Sequence, residues 1–272
     1  MIEALLGGLF GLLFGSFLNV CIYRWSRDLS VVQPRSFCPS CRKTIPWYDN
    51  LPILSYTLLR GRCRHCGAGI AVRYLLVEIA TGLLFAVAAY RYGLTLGAVR
   101  WATYSALLIG LIASDLEEYL LPDQMTLGGI VAGLFFAVFD PLTPSLSLVA
   151  MPWNQNVRLF SVFESLVGAA VPSFLIWSVG EIYFRVRRRE GLGLGDVKMI
   201  AMLGAFLGLQ MSLLVLVVAS VAGSVFGLVY IFSTRANAAT HQIPFGVFLG
   251  LSGLAVWLGG DAIFRWYAGL GA

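Results

Sequence analysis

The stretch VKMIAMLGAFLGLQMSLLVLVVASVAGSVFGLVYIF, residues 197–232, carries a single charged side chain, Lys198. A helix of this sequence is apolar on every face, so only lipid or a wholly buried core can surround it. Outward from this stretch the rest of the chain has the same character. Of its 272 residues 58% are hydrophobic and 12% charged, and its mean hydropathy is +0.81. Soluble domains carry roughly 25% charged residues, so this chain has too few to wet a surface. Disorder is excluded by the same figures, because it needs low hydrophobicity. In hydrocarbon the backbone must be paired within helices or a closed barrel. A barrel would show alternating polarity in segments of roughly ten residues, whereas the runs here are long and continuous. The sequence therefore predicts an all-α polytopic membrane protein with about eight transmembrane helices, near 2–23, 74–92, 97–115, 125–140, 161–184, 197–209, 211–232 and 245–268. The first lacks a basic start and a small-residue cleavage site, so it reads as a retained helix.

Basic residues accumulate in cytoplasmic loops. With the N-terminus outside, only Arg91, Arg100, Arg158 and Arg265 of the 19 Lys and Arg fall outside. The net charge of +5 then reads as topology, with lipid headgroups as its partner and no nucleic acid required. The expected organisation is a first helix at 1–23, a polar, basic loop domain at 24–73 and a membrane domain at 74–272. The outer stretch 141–160 receives no function.

Four of the five cysteines lie in the first loop, as Cys38-Pro-Ser-Cys41 and Cys63-Arg-His-Cys66. Two CxxC pairs at this separation match a zinc ribbon, where each pair supplies two thiolates to a tetrahedron. Disulfides are the competing reading, but the inward orientation places these thiols in a reducing compartment. A redox CxxC would need only one motif and a βαβ context. With sulfur at all four positions the metal is structural, and its binding energy folds a loop too small for its own core. Cys21, at the end of the first span, reads as a packing residue.

Ionisable residues within spans are functional candidates by default. Glu3, Asp140, Glu164 and Asp261 fall near outer ends, within reach of water, and Glu181 pairs with Arg185 one turn on. Glu78 lies near the inner boundary and stays a candidate. Asp115, in LLIGLIASDLEEYLLPD, and Asp196, in GLGLGDVKMIAMLGAF, each sit where a helix meets the inner boundary. Gly193 and Gly195 leave the backbone before Asp196 bare, so an extended peptide can approach. Two carboxylates brought together share a proton; the charged one activates water and the neutral one donates to a carbonyl, as in aspartic peptidases. The plainer alternative is that both aspartates cap local structure. A transporter would place its carboxylates near the midplane.

Taken together, GSFLNVCIYR at 15–24, FCPSCRKTIPWYDNLPILSYTLLRGRCRHCG at 37–67, RYLLVEIATG at 73–82, SDLEEYLLPD at 114–123 and GLGLGDVKM at 191–199 resemble the bacterial prepilin peptidases, the type IV leader peptidase family of GxGD membrane aspartic proteases. The resemblance covers nearly the whole chain. It implies an inner-membrane enzyme, active site facing the cytoplasm, that removes a basic leader from type IV prepilins or type II secretion pseudopilins after a Gly. Many members then methylate the new N-terminus with S-adenosylmethionine, and the complete set Cys38, Cys41, Cys63 and Cys66 favours that subgroup. A methylation-deficient paralogue is the nearer alternative, and a non-enzymatic scaffold or ion-coupled transporter the more distant one. The family's catalytic aspartates map to Asp115 and Asp196. Asp123, Gly193, Gly195, Lys198 and Glu78 are supporting candidates, and Glu117, Glu118 and Asp123 are the acids available to a basic leader. One departure is a long segment between the two aspartates.

Overall fold

The computed structural model describes residues 1–142, 156–188, 192–234 and 244–270. Most of the 141–160 stretch, 143–155, lies outside the described residues, as do Gly191, Arg189 and Arg235. The described chain is helical, with α1 (Ile2–Trp25), a short 3-10 turn (Trp47–Asn50), α2 (Leu54–Leu58), α3 (Val72–Tyr92), α4 (Leu96–Glu118), α5 (Asp123–Phe139), α6 (Val157–Arg187), α7 (Leu194–Thr234) and α8 (Phe245–Leu270). Among the described residues, 5 helices are long and apolar enough to cross a membrane: α1, α3, α4, α6 and α7; α5 and α8 supply shorter apolar stretches. The expected spans 197–209 and 211–232 are both found in α7, which breaks at Gly208 (φ 77, ψ 178), a left-handed conformation suited to glycine. Each expected span thus lies in a helix.

The chain divides into two compact units, Met1–Glu118 and Tyr119–Ala272. In the first, α1 packs on α3 through glycines one turn apart. A Cβ on Gly7 would lie 2.7 Å from the Ala89 Cβ, one on Gly11 2.7 Å from the Phe85 Cβ, and one on Gly15 2.8 Å from the Glu78 Cα. Small residues at this spacing let helix backbones approach in lipid, where no hydrophobic effect drives them together. The opposite face of α1 presents Leu5, Leu9 and Leu13, all exposed, which suits lipid contact.

The second unit has its own glycine crossing. Gly168 of α6 meets Gly204 and Gly208 of α7: a Cβ on Gly168 would lie 2.5 Å from the Gly208 carbonyl carbon, and one on Gly204 would collide with the Gly168 carbonyl oxygen. The buried Ser165 hydroxyl donates to the Ala205 carbonyl at 2.7 Å across this crossing. Helix α6 starts four residues before the expected boundary, capped by Asn156, whose side chain accepts the Arg158 and Leu159 N–H groups. That extension moves Glu164 into the helix interior. Expected near water, it is instead 1% exposed and packs against Gly208.

Candidate active site and metal centre

The four-cysteine loop is built as one knuckle used twice. Cys38 N–H donates to Lys43 O at 3.0 Å and Arg42 N–H to Cys38 O at 2.8 Å; twenty-five positions on, Cys63 N–H donates to Ala68 O at 2.8 Å and Gly67 N–H to Cys63 O at 2.9 Å. The flanking bridges Phe37–Thr44 and Arg62–Gly69 obey the same offset. Each knuckle turns through a left-handed residue, Arg42 (φ 57) and Gly67 (φ 71). The four Sγ atoms lie within 4.8 Å of one another, and Cys38 Sγ is 3.8 Å from Cys66 Sγ. Tetrahedral zinc with Zn–S near 2.3 Å separates its sulfurs by about 3.8 Å, so these residues fit a metal held by four thiolates. The Cys41 backbone N–H facing the Cys38 sulfur lowers that thiol, while burial and the neighbouring cysteines raise the Cys66 thiol. Arg64, inside the second knuckle, grips Asp49 through two bonds of 2.8 and 2.7 Å, tying the knuckle to the 3-10 turn. Buried Arg24 fixes the loop's entry by donating to the Ser30 and Pro34 carbonyls at 2.7 and 2.5 Å. Cys21, 1% exposed, packs in the core as expected.

Asp115 is 5% exposed in the last turn of α4. That turn is pinned on both sides. Glu117 pairs with Arg73 of α3, and Glu118 with Arg27, just beyond α1, at 2.6 Å. Acidic residues at a helix C-terminus are electrostatically unfavourable by themselves, so the two guanidinium groups also neutralise this end. Tyr119, at φ 53, then stops the helix.

Asp196 stands in the first turn of α7, where the helix dipole favours negative charge. Its N–H donates to Gly193 O at 3.2 Å, and a Cβ on Gly193 would lie 3.5 Å from its Oδ2. Gly193 is exposed. Gly195 faces the chain itself, since a Cβ there would lie 3.2 Å from the Leu121 side chain. Lys198 Nζ, from the next turn of α7, holds Asp123 Oδ1 at 2.6 Å at the start of α5. The two GxGD glycines therefore differ: one leaves open backbone beside the carboxylate, the other admits the 119–122 connection. Asp115 belongs to the first unit and Asp196, Asp123 and Lys198 to the second.

Glu117, Glu118 and Asp123, expected to be available to a basic leader, each hold one of the chain's own cations. The expected Glu181–Arg185 pair is present at 2.8 Å. Glu78 is buried in α3, its Oε2 accepting the Ile53 N–H at 2.9 Å. Sequence reasoning did not single out Arg27, Arg73 or Asn19. An amide inside an apolar span, as Asn19 is in GSFLNVCIYR, was the available signal; the arginines were indistinguishable from other topology charges.

Residues 9–92 match the bacterial peptidase A24 N-terminal domain, and residues 101–228 the type IV leader peptidase family. The chain is 41% identical over 234 residues to a prepilin leader peptidase/N-methyltransferase of Myxococcus xanthus, covering 85% of this chain and 64% of that protein. It is 35% identical over 289 residues to the protein of that name from Aeromonas salmonicida, covering 95% and 91%. To the one from Legionella pneumophila it is 32% identical over 285 residues, covering 96% and 93%. No solved structure matches. With 35% identity across 95% of this chain and 91% of the Aeromonas salmonicida protein, and with residues 101–228 matching the family itself, the protein belongs to the type IV leader peptidase family.

Proposed function

We propose that this protein is an aspartic endopeptidase of the bacterial inner membrane that removes the basic leader from prepilins or pseudopilins at the cytoplasmic face and then methylates the new N-terminus. The observation that carries the reading is the family match over 101–228, which contains both Asp115 and Asp196. Each aspartate stands at a helix end held by neighbouring ion pairs.

Asp196, at the positive end of α7, is the carboxylate that takes a proton from water, and the resulting hydroxide attacks the scissile carbonyl carbon. Asp115, 5% exposed, carries the proton that the carbonyl oxygen receives. Collapse of the tetrahedral intermediate breaks the C–N bond, and the leaving amine takes a proton back from the dyad. Exposed Gly193 lets the extended substrate backbone lie beside Asp196. Lys198 and Asp123 act on position: their bond fixes the start of α7 against the start of α5.

Cys38, Cys41, Cys63 and Cys66 hold a structural zinc ion, which supplies folding energy to the 24–73 loop and leaves no open ligand position. S-adenosylmethionine, when bound, supplies an electrophilic methyl group to the amine that cleavage liberates. Mass spectrometry of a prepilin incubated with the membrane-embedded enzyme and the methyl donor tests both activities. Leader loss followed by gain of one methyl group is the expected result; an intact precursor would contradict the reading.

A further inference from the structure

Part of the polar loop meets its neighbouring helices at membrane depth. Both α1 and α3 are long and apolar enough to cross a bilayer. A hydrocarbon core about 30 Å thick takes about 20 residues of helix at about 1.5 Å each. Measured from Ile2 on α1 and from Tyr92 on α3, the ends away from the cysteine loop, it reaches Ile22 and Val72. The Ser16 hydroxyl of α1 lies 3.3 Å from the Asn50 carbonyl oxygen, and the Glu78 carboxylate of α3 accepts from Ser16 and, at 2.9 Å, from the Ile53 N–H. Ser16 and Glu78 are each six residues inside those limits, which is about 9 Å of helix. Residues 50–53 are therefore fastened to both helices within the bilayer. Non-helical backbone is tolerated at such depth only where protein satisfies its polar groups. Here it does: besides the Asn50 carbonyl and the Ile53 N–H, Leu51 O accepts from the Ser55 N–H at 3.1 Å and Pro52 O from the Leu54 N–H at 2.5 Å, and Pro52 brings no N–H of its own.

The side chains around this attachment point away from the protein and are apolar. Leu54 is 52% exposed, Leu58, one turn further along α2, is 73% exposed, and Trp47 in the 3-10 turn is 70% exposed; Tyr48 and Leu51 are exposed as well. The other face of α2 is turned inward, where the buried Ser55 hydroxyl donates to Tyr48 O at 2.8 Å. Trp and Tyr are favoured where hydrocarbon meets headgroups. Lys43, Arg60 and Arg62, which flank the run, are exposed, and cations at that level suit anionic lipid. We infer that Trp47–Leu58 is a re-entrant membrane anchor whose outer face lies in the lipid of the leaflet on the loop's side. The stretch runs between the two cysteine pairs, so it fastens the metal loop to the bilayer at the middle of the loop. Ser16 and Glu78 are positioning residues for this anchor, because they satisfy the backbone that turns within the membrane.

The test uses the full-length zinc-loaded protein in nanodiscs that contain a phospholipid with a diazirine midway along one acyl chain. After photolysis the adducts are mapped by mass spectrometry, with Leu9 and Leu13 on the exposed face of α1 as the reference. Adduct yields at Leu54 and Leu58 within an order of magnitude of the reference are expected. A lower yield at either position would place the face in water or against protein and overturn the inference. Saturating prepilin should leave these adducts in place; their loss while the α1 adducts persist would assign the face to the substrate instead, and also overturns it. Glu78→Ala, which leaves the Ile53 N–H without its acceptor, should lower both yields severalfold, and Glu78→Gln, which keeps an oxygen there, should restore them. Wild-type yields in Glu78→Ala would contradict the anchor. Zinc content and the thermal midpoint identify a variant that has failed to fold, in which case the labelling of the wild-type protein decides alone.

Discussion

Gly204→Ala places a methyl group against the Gly168 carbonyl oxygen at the α6–α7 crossing. Neither side has a flexible side chain to yield, because both partners at this point are backbone. The helices must separate, and overpacking of this kind costs about 1–3 kcal/mol. Separation also stretches the 2.7 Å bond from Ser165 to the Ala205 carbonyl, and interhelical bonds in membranes contribute about 0.6–1.7 kcal/mol. The sum, about 2–5 kcal/mol, converts to a fall of roughly 4–20 °C in thermal midpoint at about 2–4 °C per kcal/mol. Gly128→Ala is the matched control. A Cβ on Gly128 of α5 meets nothing within 4 Å, so helix propensity alone should stabilise it by up to about 1 kcal/mol. Thermal unfolding of both variants in detergent micelles reads the difference. Leader cleavage should fall in Gly204→Ala as well, since Asp196 is carried two turns earlier on the same helix. A Gly204→Ala protein as stable as the Gly128→Ala protein would refute the close crossing.

Two further expectations concern the metal loop. Because Arg42 occupies the left-handed position that Gly67 fills in the second knuckle, Arg42→Gly should relieve about 1–2 kcal/mol of backbone strain and slow zinc loss to a chelator, while Gly67→Val should speed it; the reverse order would contradict the repeat. The Arg64 guanidinium hydrogen-bonded to Asp49 holds that carboxyl below its usual 3.8. The pair's contribution to loop stability is therefore complete above the ordinary carboxylate value and is lost as pH falls through the depressed one. NMR titration of the Asp49 carboxyl carbon should show a midpoint below 3.8 that rises toward it in Arg64→Ala, and an unchanged midpoint would remove Arg64 as the cause.

The helical fold was legible because hydropathy reports the solvent directly: no other structure satisfies residues 197–232 in lipid. The two expected spans on either side of Gln210 correspond to the two helical stretches that meet at the Gly208 kink, two residues away, because hydropathy marks the polar Gln210 and not the backbone turn. The cysteine cluster was legible down to its four members, because the spacing that suits a tetrahedron brings their sulfurs within 4.8 Å of one another. The repeat of the knuckle at a fixed offset was not, since its second copy replaces Arg42 by Gly67 and Lys43 by Ala68. Asp115 and Asp196 stood out as charges beside apolar runs, but the cations that fix their surroundings did not. Arg27 and Arg73 look like topology residues in one dimension, and only folding brings them to Glu118 and Glu117. Glu164 was misplaced for a related reason: the Asn156 cap that starts α6 early lies upstream of the apolar run.

The claim on which the account turns is that Asp115 and Asp196 act as one proton-sharing pair. Asp115→Asn and Asp196→Asn, each folded and zinc-loaded, are assayed singly for cleavage of a prepilin in the membrane, with donor binding measured on the same samples. The account predicts that either substitution abolishes leader removal while S-adenosylmethionine still binds. Full processing by either variant would contradict it.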